Sequence, residues 1–422
     1  MIRKIYYLSA LLVFSFSANN LIAQDDGNEF DISLDQEDTD YSWQTPAGKY
    51  LEPSSFFSLH GYVNGVYAGS SDEWTNPDPT QLASPGQLLV PNSDNSSFQY
   101  DFAIIIGSEL TERTRVAVEA HYVSDPSGRG AAGPGGLSIA VTEATGSYDL
   151  VPKALTISAG IFWSPFGIIN KDWLGAQNKF SLVPRASGAY PVHYNERGIR
   201  VNGVFDLSEN SAINYVVSLG NGLSNYNLSG QASYDNNDNK TITARIGFYP
   251  GLGKDLEIGL SYMNGKLRDG LDATIVNISN PERYGSQTSA FGIDAAYKLD
   301  NLSFQGYFVS SKEELSTDGV NSPGDIKRMG YTGEILYLFE TDLEYLKGIR
   351  PKFRYDFIEV DQLYLNGLNV DSRTLDTRTL SFGSDIVISD NFRFGFDYNI
   401  STENGQTEIE NDRFVGKLIA QF

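Results

Sequence analysis

The sequence predicts an all-β chain: a transmembrane, antiparallel, up-and-down β-barrel of about sixteen strands with a long third outer loop. Three observations predict it. From residue 57 onward, apolar residues recur at every second position, the period of a strand with one apolar and one polar face. The segments between these strands alternate between short and long. After residue 23 no continuous apolar run reaches membrane-spanning length, and a chain that crosses lipid without such a helix must close its strands on themselves.

The alternation is legible strand by strand. Phe98, Tyr100, Phe102 and Ile104 alternate with Gln99, Asp101 and Ala103. Phe291, Ile293, Ala295 and Tyr297 alternate with Gly292, Asp294, Ala296 and Lys298. Phe392, Phe394, Phe396, Tyr398 and Ile400 alternate with Arg393, Gly395, Asp397, Asn399 and Ser401. A helix would place neither set on one side. The pattern predicts strands over 57–69, 97–107, 113–123, 137–149, 154–163, 195–206, 211–220 and 240–249. It continues over 255–266, 288–299, 301–311, 327–339, 348–361, 373–389, 391–402 and 410–422. Only in 137–149 is it broken, around Glu143.

The connections carry independent information. Gly107–Glu112, Asp149–Lys153, Asp206–Asn210, Pro250–Lys254, Asp300, Glu340–Lys347 and Asp390 are short. Long ones begin near Ser70, Ser124, Ser164, Asn221, Leu267, Lys312, Gln362 and Glu403. Short inner turns and longer outer loops are the habit of bacterial outer-membrane barrels, and an even strand number puts both barrel ends on the inner side. The apolar phase carries no charge at mid-strand, where Arg or Lys would cost about 2–4 kcal/mol in lipid. Rings flank it: Tyr67, Phe98, Tyr122, Trp163 and Tyr262 on the loop side, and Phe205, Phe248, Tyr297, Phe339 and Phe422 on the turn side. Two such girdles suit two membrane interfaces.

The remainder of the chain is organised around this barrel, 57–422. Arg3 and Lys4, the apolar stretch Ile5–Phe16 and Leu21-Ile22-Ala23 read as a signal peptide over 1–23. Residues 24–56 carry Asp25, Asp26, Glu29, Asp31, Asp35, Glu37, Asp38, Asp40 and Glu52 against Lys49 alone, which predicts an acidic, disordered periplasmic lead segment. The chain holds no cysteine, which excludes disulfide scaffolds, thiolate zinc sites, cysteine nucleophiles and a lipid-bearing N-terminus. Its formal charge of −22 argues against nucleic acid as a partner. Three histidines, His60, His121 and His193, form no paired metal motif. His121 lies beside Glu119 in the polar phase, but no serine can be placed next to it, so no hydrolase triad and no cofactor are expected. Asp235-Asn236-Asn237-Asp238-Asn239 lacks the spacing of a calcium loop and reads as a polar loop tip.

Short segments carry a family resemblance. The last strand, Asp412 to Phe422, resembles the terminal strand by which outer-membrane proteins are recognised for assembly, with Phe422 as the signal. Ala159-Gly160-Ile161-Phe162-Trp163-Ser164-Pro165-Phe166-Gly167-Ile168-Ile169-Asn170 resembles the strand-to-loop junction of porins of the phosphate-selective O/P family, including those of Bacteroidota. Asn195-Glu196-Arg197-Gly198-Ile199-Arg200-Val201 and Val217-Ser218-Leu219-Gly220-Asn221-Gly222 resemble its next two strands. The resemblance implies a porin of a Gram-negative outer membrane, passing small polar or anionic solutes through a water-filled lumen. The expected partners are those solutes, outer-membrane lipid and the barrel assembly machinery, with a homotrimer as a candidate assembly. A barrel with a plugged pore, serving adhesion or a secretion complex, is the alternative. The dense Arg and Lys ladder of the family is not matched here.

The polar phase names the pore-lining candidates. Arg115, Glu119, Arg200, Arg350, Lys352 and Arg354 face the lumen, as do Glu196, Arg245, Glu257, Asp294, Lys298, Asp356, Asp385, Arg393, Asp397 and Lys417. Arg350, Lys352 and Arg354 stack about 7 Å apart on one strand face. Two readings stand, an anion-attracting stripe and ordinary wall salt bridges, the second favoured. The longest loop, Ser164–Tyr194, holds Lys171, Lys179 and Arg185 against Asp172 as its one acid. It also holds Phe166, Ile168, Ile169, Trp173, Leu174, Phe180, Leu182 and Val183, more apolar surface than an exposed loop needs. It is therefore expected to fold into the barrel and constrict it, with a lid across the mouth as the other option.

Overall fold

The computed structural model describes residues 58–70, 97–124, 137–172, 179–180, 184, 186, 195–208, 210–222, 240–251, 256–266, 287–314, 326–360, 363–365, 368–370, 377–403 and 412–422. The signal peptide expected over 1–23, the acidic segment 24–56, Arg185 and the 235–239 loop tip lie outside the described residues, as does the side chain of Lys171.

Strands β1 (Ser58–Ser70), β2 (Ser97–Thr111), β3 (Thr114–Ser124) and β4 (Leu137–Val151) begin the wall. β5 (Leu155–Trp163), β6 (Asn195–Ser208), β7 (Ser211–Gly220) and β8 (Thr241–Tyr249) continue it. β9 (Leu256–Lys266), β10 (Gln287–Leu299), β11 (Leu302–Glu314) and β12 (Ile326–Tyr337) follow. β13 (Phe339–Leu343) prolongs β12 after a break at Leu338, and both pair with β14 (Leu346–Val360). β15 (Leu363–Leu365) and β16 (Leu368–Val370) form a separate small hairpin. β17 (Thr377–Ser389), β18 (Phe392–Glu403) and β19 (Arg413–Gln421) complete the wall.

Every wall strand pairs antiparallel with its neighbours in sequence, and β19 pairs with β1, so the sheet closes on sixteen wall positions. Closure removes the open edges that lipid would leave unbonded. Among the described residues no helix is long and apolar enough to cross a membrane.

The two phases separate as the alternation predicts. Leu59, Ile106, Ile199, Leu260, Ile293, Ile335, Phe353 and Phe396 are exposed on the outside. Asn64, Ser158, Asn214, Thr243, Gln305 and Ser381 are buried inside. One outward cation, Arg378, sits at a loop-side strand end and lays its guanidinium 5.8 Å from the Phe357 ring centre. There a long stem can cover apolar surface while its charge reaches the interface. The girdle expectation fails at Trp163, which is buried beside Glu119 rather than facing outward.

The broken alternation in 137–149 has a structural cause. Glu119 pairs with Glu143 and Ala120 with Val141, so Thr142 is the extra residue of a β-bulge. Thr142 and Glu143 are consequently both buried, and the phase is reset beyond them. At the short turns, Asp300 (φ 48°) lets β10 reverse into β11, a left-handed conformation that a short polar side chain tolerates.

The seam between first and last strands is closed by paired bonds. Gly61 N–H donates to Phe422 O at 2.9 Å, and Phe422 N–H donates to Gly61 O at 3.0 Å. The Phe422 ring lies over Gly61 on the outer face: a Cβ there would sit 2.6 Å from Phe422 Cζ and 2.7 Å from Ala103 O. Removing Phe422 is therefore expected to impair insertion and the heat-modifiable gel mobility of the folded barrel. Normal yield and mobility of the truncated protein would show that the seam closes without it.

Candidate functional site

The inward phase of a strand barrel holds polar side chains at a density no lipid-facing surface would allow. Here those side chains are organised into ion-paired groups around the bore.

The first group joins β8, β9 and β10. Arg245 Nη1 donates to Glu257 Oε1 at 2.7 Å, and its Nε and Nη2 donate to Asp294 at 3.1 and 2.5 Å. The forked guanidinium matches the carboxylate with two parallel bonds, the strong form of this interaction. Its side chain is fully buried. A second group lies at the turn side: Arg115 Nη2 donates to Asp149 Oδ1 at 2.6 Å, and Thr156 Oγ1 donates to the same oxygen at 2.7 Å.

The third group surrounds the bulge. Glu119 and Glu143 are cross-strand partners, both buried. Tyr62 Oη and His121 Nε2 are 3.0 Å apart nearby. Arg200 places its guanidinium 5.1 Å from the centre of the Phe162 ring. Glu196 accepts from the N–H groups of Gly222, at 3.0 Å, and Arg197, at 3.1 Å.

The fourth group spans β12, β14, β17, β18 and β19. Arg350 pairs with Asp385 at 2.6 Å, and Lys352 pairs with Asp385 and Asp397, each at 2.7 Å. Arg354 Nε reaches Glu334 at 3.2 Å, and its Nη1 lies 3.8 Å from Asp356. The register explains these pairings, since Arg350 is directly opposite Asp385 and Arg354 directly opposite Glu334. Every member of the Arg350–Lys352–Arg354 series has a carboxylate partner, which is the arrangement of wall salt bridges.

The third long loop meets this wall. Phe166 is fully buried against Gly292 of β10. Gly167 N–H donates to Ser261 Oγ of β9 at 2.9 Å. Gly167 has φ +68°, and a Cβ there would meet the Tyr307 ring at 2.5 Å, so the position suits glycine on both counts. A 3-10 turn, Ile168–Asp172, follows and touches β10. Phe166, Ile169 and Ala186 form one apolar cluster with the inward Met263, Ala290, Tyr307 and Val309.

Further along, Lys179 pairs with Glu334 at 3.0 Å and also donates to Gln305. Its carbonyl oxygen accepts from Lys352 Nζ at 2.8 Å and Lys417 Nζ at 3.4 Å. The buried Phe180 ring lies 4.1 Å from Arg354 Cζ and 5.1 Å from Lys352 Nζ. In the strand order β14 lies halfway round the wall from β5, the strand that feeds the loop. Residues 179–180 thus touch the side of the barrel opposite the loop's origin.

Of the residues singled out for the bore, Lys179, Arg350, Lys352 and Arg354 come together at this contact. Arg115 belongs to the second group, and Glu119 and Arg200 belong to the third. Glu334, Gln305 and Tyr307 were missed, although each lies in the inward phase of a strand the alternation had identified. Phe180 stood out only as one apolar loop residue among several.

No protein-family model matches the chain, and no curated protein matches it. Solved structures do. The outer-membrane channel DcaP of Acinetobacter baumannii superposes with a TM-score of 0.54 at 12% identity, over 87% of this chain and 97% of that one. OmpF of Salmonella typhi, solved in complex with daunomycin, gives 0.54 at 12%, over the same shares. The anion-selective porin of Comamonas acidovorans gives 0.51 at 9%, over 87% and 99%. At these identities the likeness is one of fold. Together with the apolar exterior and polar interior, it defines the class by fold: a closed antiparallel β-barrel of the kind that these outer-membrane channels share.

Proposed function

We propose that the chain is an outer-membrane porin for passive diffusion of small polar or anionic solutes. The observation that supports this reading best is the closed sixteen-position wall, lined inside by charged and polar groups and crossed by one loop. A wall of this size leaves a channel where a smaller barrel would be filled by its own side chains. Its fold neighbours named above as porins and channels favour the same role. The phosphate-selective O/P likeness is the finer form of the proposal. It rests on the junction 159–170 and the two strands after it.

Within this reading the third loop is the constriction, and its cations Lys171, Lys179 and Arg185 help to set selectivity. Fixed charges act on ions more strongly between low-dielectric walls than in bulk water, and salt screens the distant acidic mouth beyond about 8–10 Å. Replacing all three residues by Glu is expected to shift the reversal potential in planar bilayers towards cations. An unchanged reversal potential would place these residues off the permeation path.

A second reading, a plugged barrel serving adhesion or secretion, is favoured by one feature. Inward charges such as Arg245, Asp294, Asp385 and Asp397 are almost wholly buried. A folded barrel that carries no current in bilayers would support it.

A further inference from the structure

The turn between β13 and β14 runs past its neighbour. β12 pairs with β11 as far as Tyr337 and Leu302, and Leu338 N–H then donates to Asn301 O at 2.9 Å. β13 continues beyond the end of β11 and pairs with β14, so its other edge has no strand beside it among the described residues. Such an edge leaves backbone N–H and C=O groups open to another chain. The hairpin holds its own shape: Thr341 Oγ1 donates to Leu346 O, and Lys347 pairs with Asp390 of the next turn.

Its side chains are of two kinds. Tyr345 (76%) and Leu343 (65%) are the most exposed large apolar residues among those described. Both lie further along the chain than Phe339, the ring expected at the turn-side interface, so lipid does not account for their exposure. Register puts Glu340, Leu343 and Leu346 on one face of the hairpin, and Phe339 and Ile349 on the other. Glu340, Asp342 and Glu344 are exposed, and no ion pair reaches them among the described residues. Lys347, the one cation of residues 339–347, is taken by Asp390.

Charge decides what can cover this surface. A second copy of the chain would bring the same acidic hairpin, and residues 24–56 carry nine acids against Lys49, so both are repelled at close range. Anionic lipid headgroups are repelled in the same way. A bulge between Glu340 and Leu343, together with short length and charge, is how an exposed edge avoids strands of its own kind. A basic strand meets no such barrier. Its cations face the three carboxylates, its stems can lie on the Tyr345 ring, and its backbone can pair with β13. A small polycation would use the carboxylates alone, whereas a polypeptide uses all three features.

We propose that the β13–β14 hairpin is a docking site for an extended basic segment of another protein on the turn side of the barrel. The segment lies along the open edge of β13, held by Glu340, Asp342 and Glu344 and seated on Leu343 and Tyr345. This role goes beyond the porin reading and needs no current through the bore.

The test is fluorescence anisotropy of a labelled peptide of alternating Lys and Val, added to the full-length, detergent-folded barrel. The unaltered protein is expected to bind it and to leave a peptide of alternating Glu and Val unbound. Glu340→Gln with Asp342→Asn and Glu344→Gln is expected to weaken binding about tenfold. Leu343→Ser with Tyr345→Ser keeps the charge and is expected to weaken it several-fold. Both variants leave every wall ion pair in place, and heat-modifiable mobility checks that they fold. Absence of binding by the unaltered protein would overturn the proposal. Unchanged binding by the charge-neutral variant would also overturn it, because acids elsewhere on the chain would then hold the peptide. Weakening in that variant with none in Leu343→Ser, Tyr345→Ser would show a charge effect without a docking surface, and would overturn it as well.

Discussion

Deleting residues 168–190 raises single-channel conductance several-fold, and this is the largest functional effect expected of any change to the chain. The deletion removes the 3-10 turn from β10, the Lys179–Phe180 contact from β12, β14 and β19, and Ala186 from its place beside Gly330. Each of these residues lies against the inward phase, so each occupies bore that water would otherwise fill. The wall should survive. Arg350–Asp385, Lys352–Asp385, Lys352–Asp397 and Arg354–Glu334 are bonds between wall strands and need nothing from the loop. What is lost is the Lys179–Glu334 pair and the apolar cover over Met263, Tyr307 and Val309. Planar-bilayer recording reads the result. Conductance equal to that of the intact protein would mean that this loop does not limit the path.

Arg245→Met is expected to have the largest effect on stability. Arg245 is bonded to both Glu257 and Asp294, and its side chain is fully buried. Removing it leaves two carboxylates facing each other in a confined site. Breaking a buried pair from one side costs about 3–5 kcal/mol, because the partner is left charged and unmatched. Replacing all three groups at once, as Arg245→Met with Glu257→Gln and Asp294→Asn, removes the stranded charge and should recover most of the loss. The midpoint of heat-induced mobility change on gels measures both. An unchanged midpoint in Arg245→Met would show that water in the bore solvates the acids.

The wall was legible because lipid imposes a strict rule. Each outward residue at the depth of the hydrocarbon must be apolar and each inward one is free to be polar, so the period of two survives in the sequence from β1 to β19. Sixteen strand positions and their short turns follow from that rule alone. The mid-strand irregularity of β4 was visible as a fault at Glu143, but the fault could not be resolved. A bulge shifts every later residue to the other face, and sequence does not say which residue is the extra one. Trp163 was misplaced for a related reason. It lies at the end of β5, three residues beyond Gly160, whose φ of +136° is outside the ordinary strand range.

The bore was only half legible. The inward charges were identified by phase, but their partners depend on register across strands far apart in sequence. Arg350 and Asp385 are 35 residues apart, and Arg245 and Asp294 are 49 apart. Register explains why Arg350, Lys352 and Arg354 act as wall ion pairs rather than a bare cationic stripe. The loop's unusual content of apolar residues hinted at an inward position, yet nothing local to Lys179-Phe180 marked this dipeptide as the one to meet Lys352, Arg354 and Lys417.

The most direct test of the central claim is swelling of proteoliposomes in an isosmotic solution of an uncharged sugar. It requires no assumption about selectivity, only a continuous aqueous path through the barrel. The account predicts swelling with the full chain and faster swelling with 168–190 deleted. Intact, heat-modifiable barrels in the same vesicles that admit no sugar in either form would contradict it.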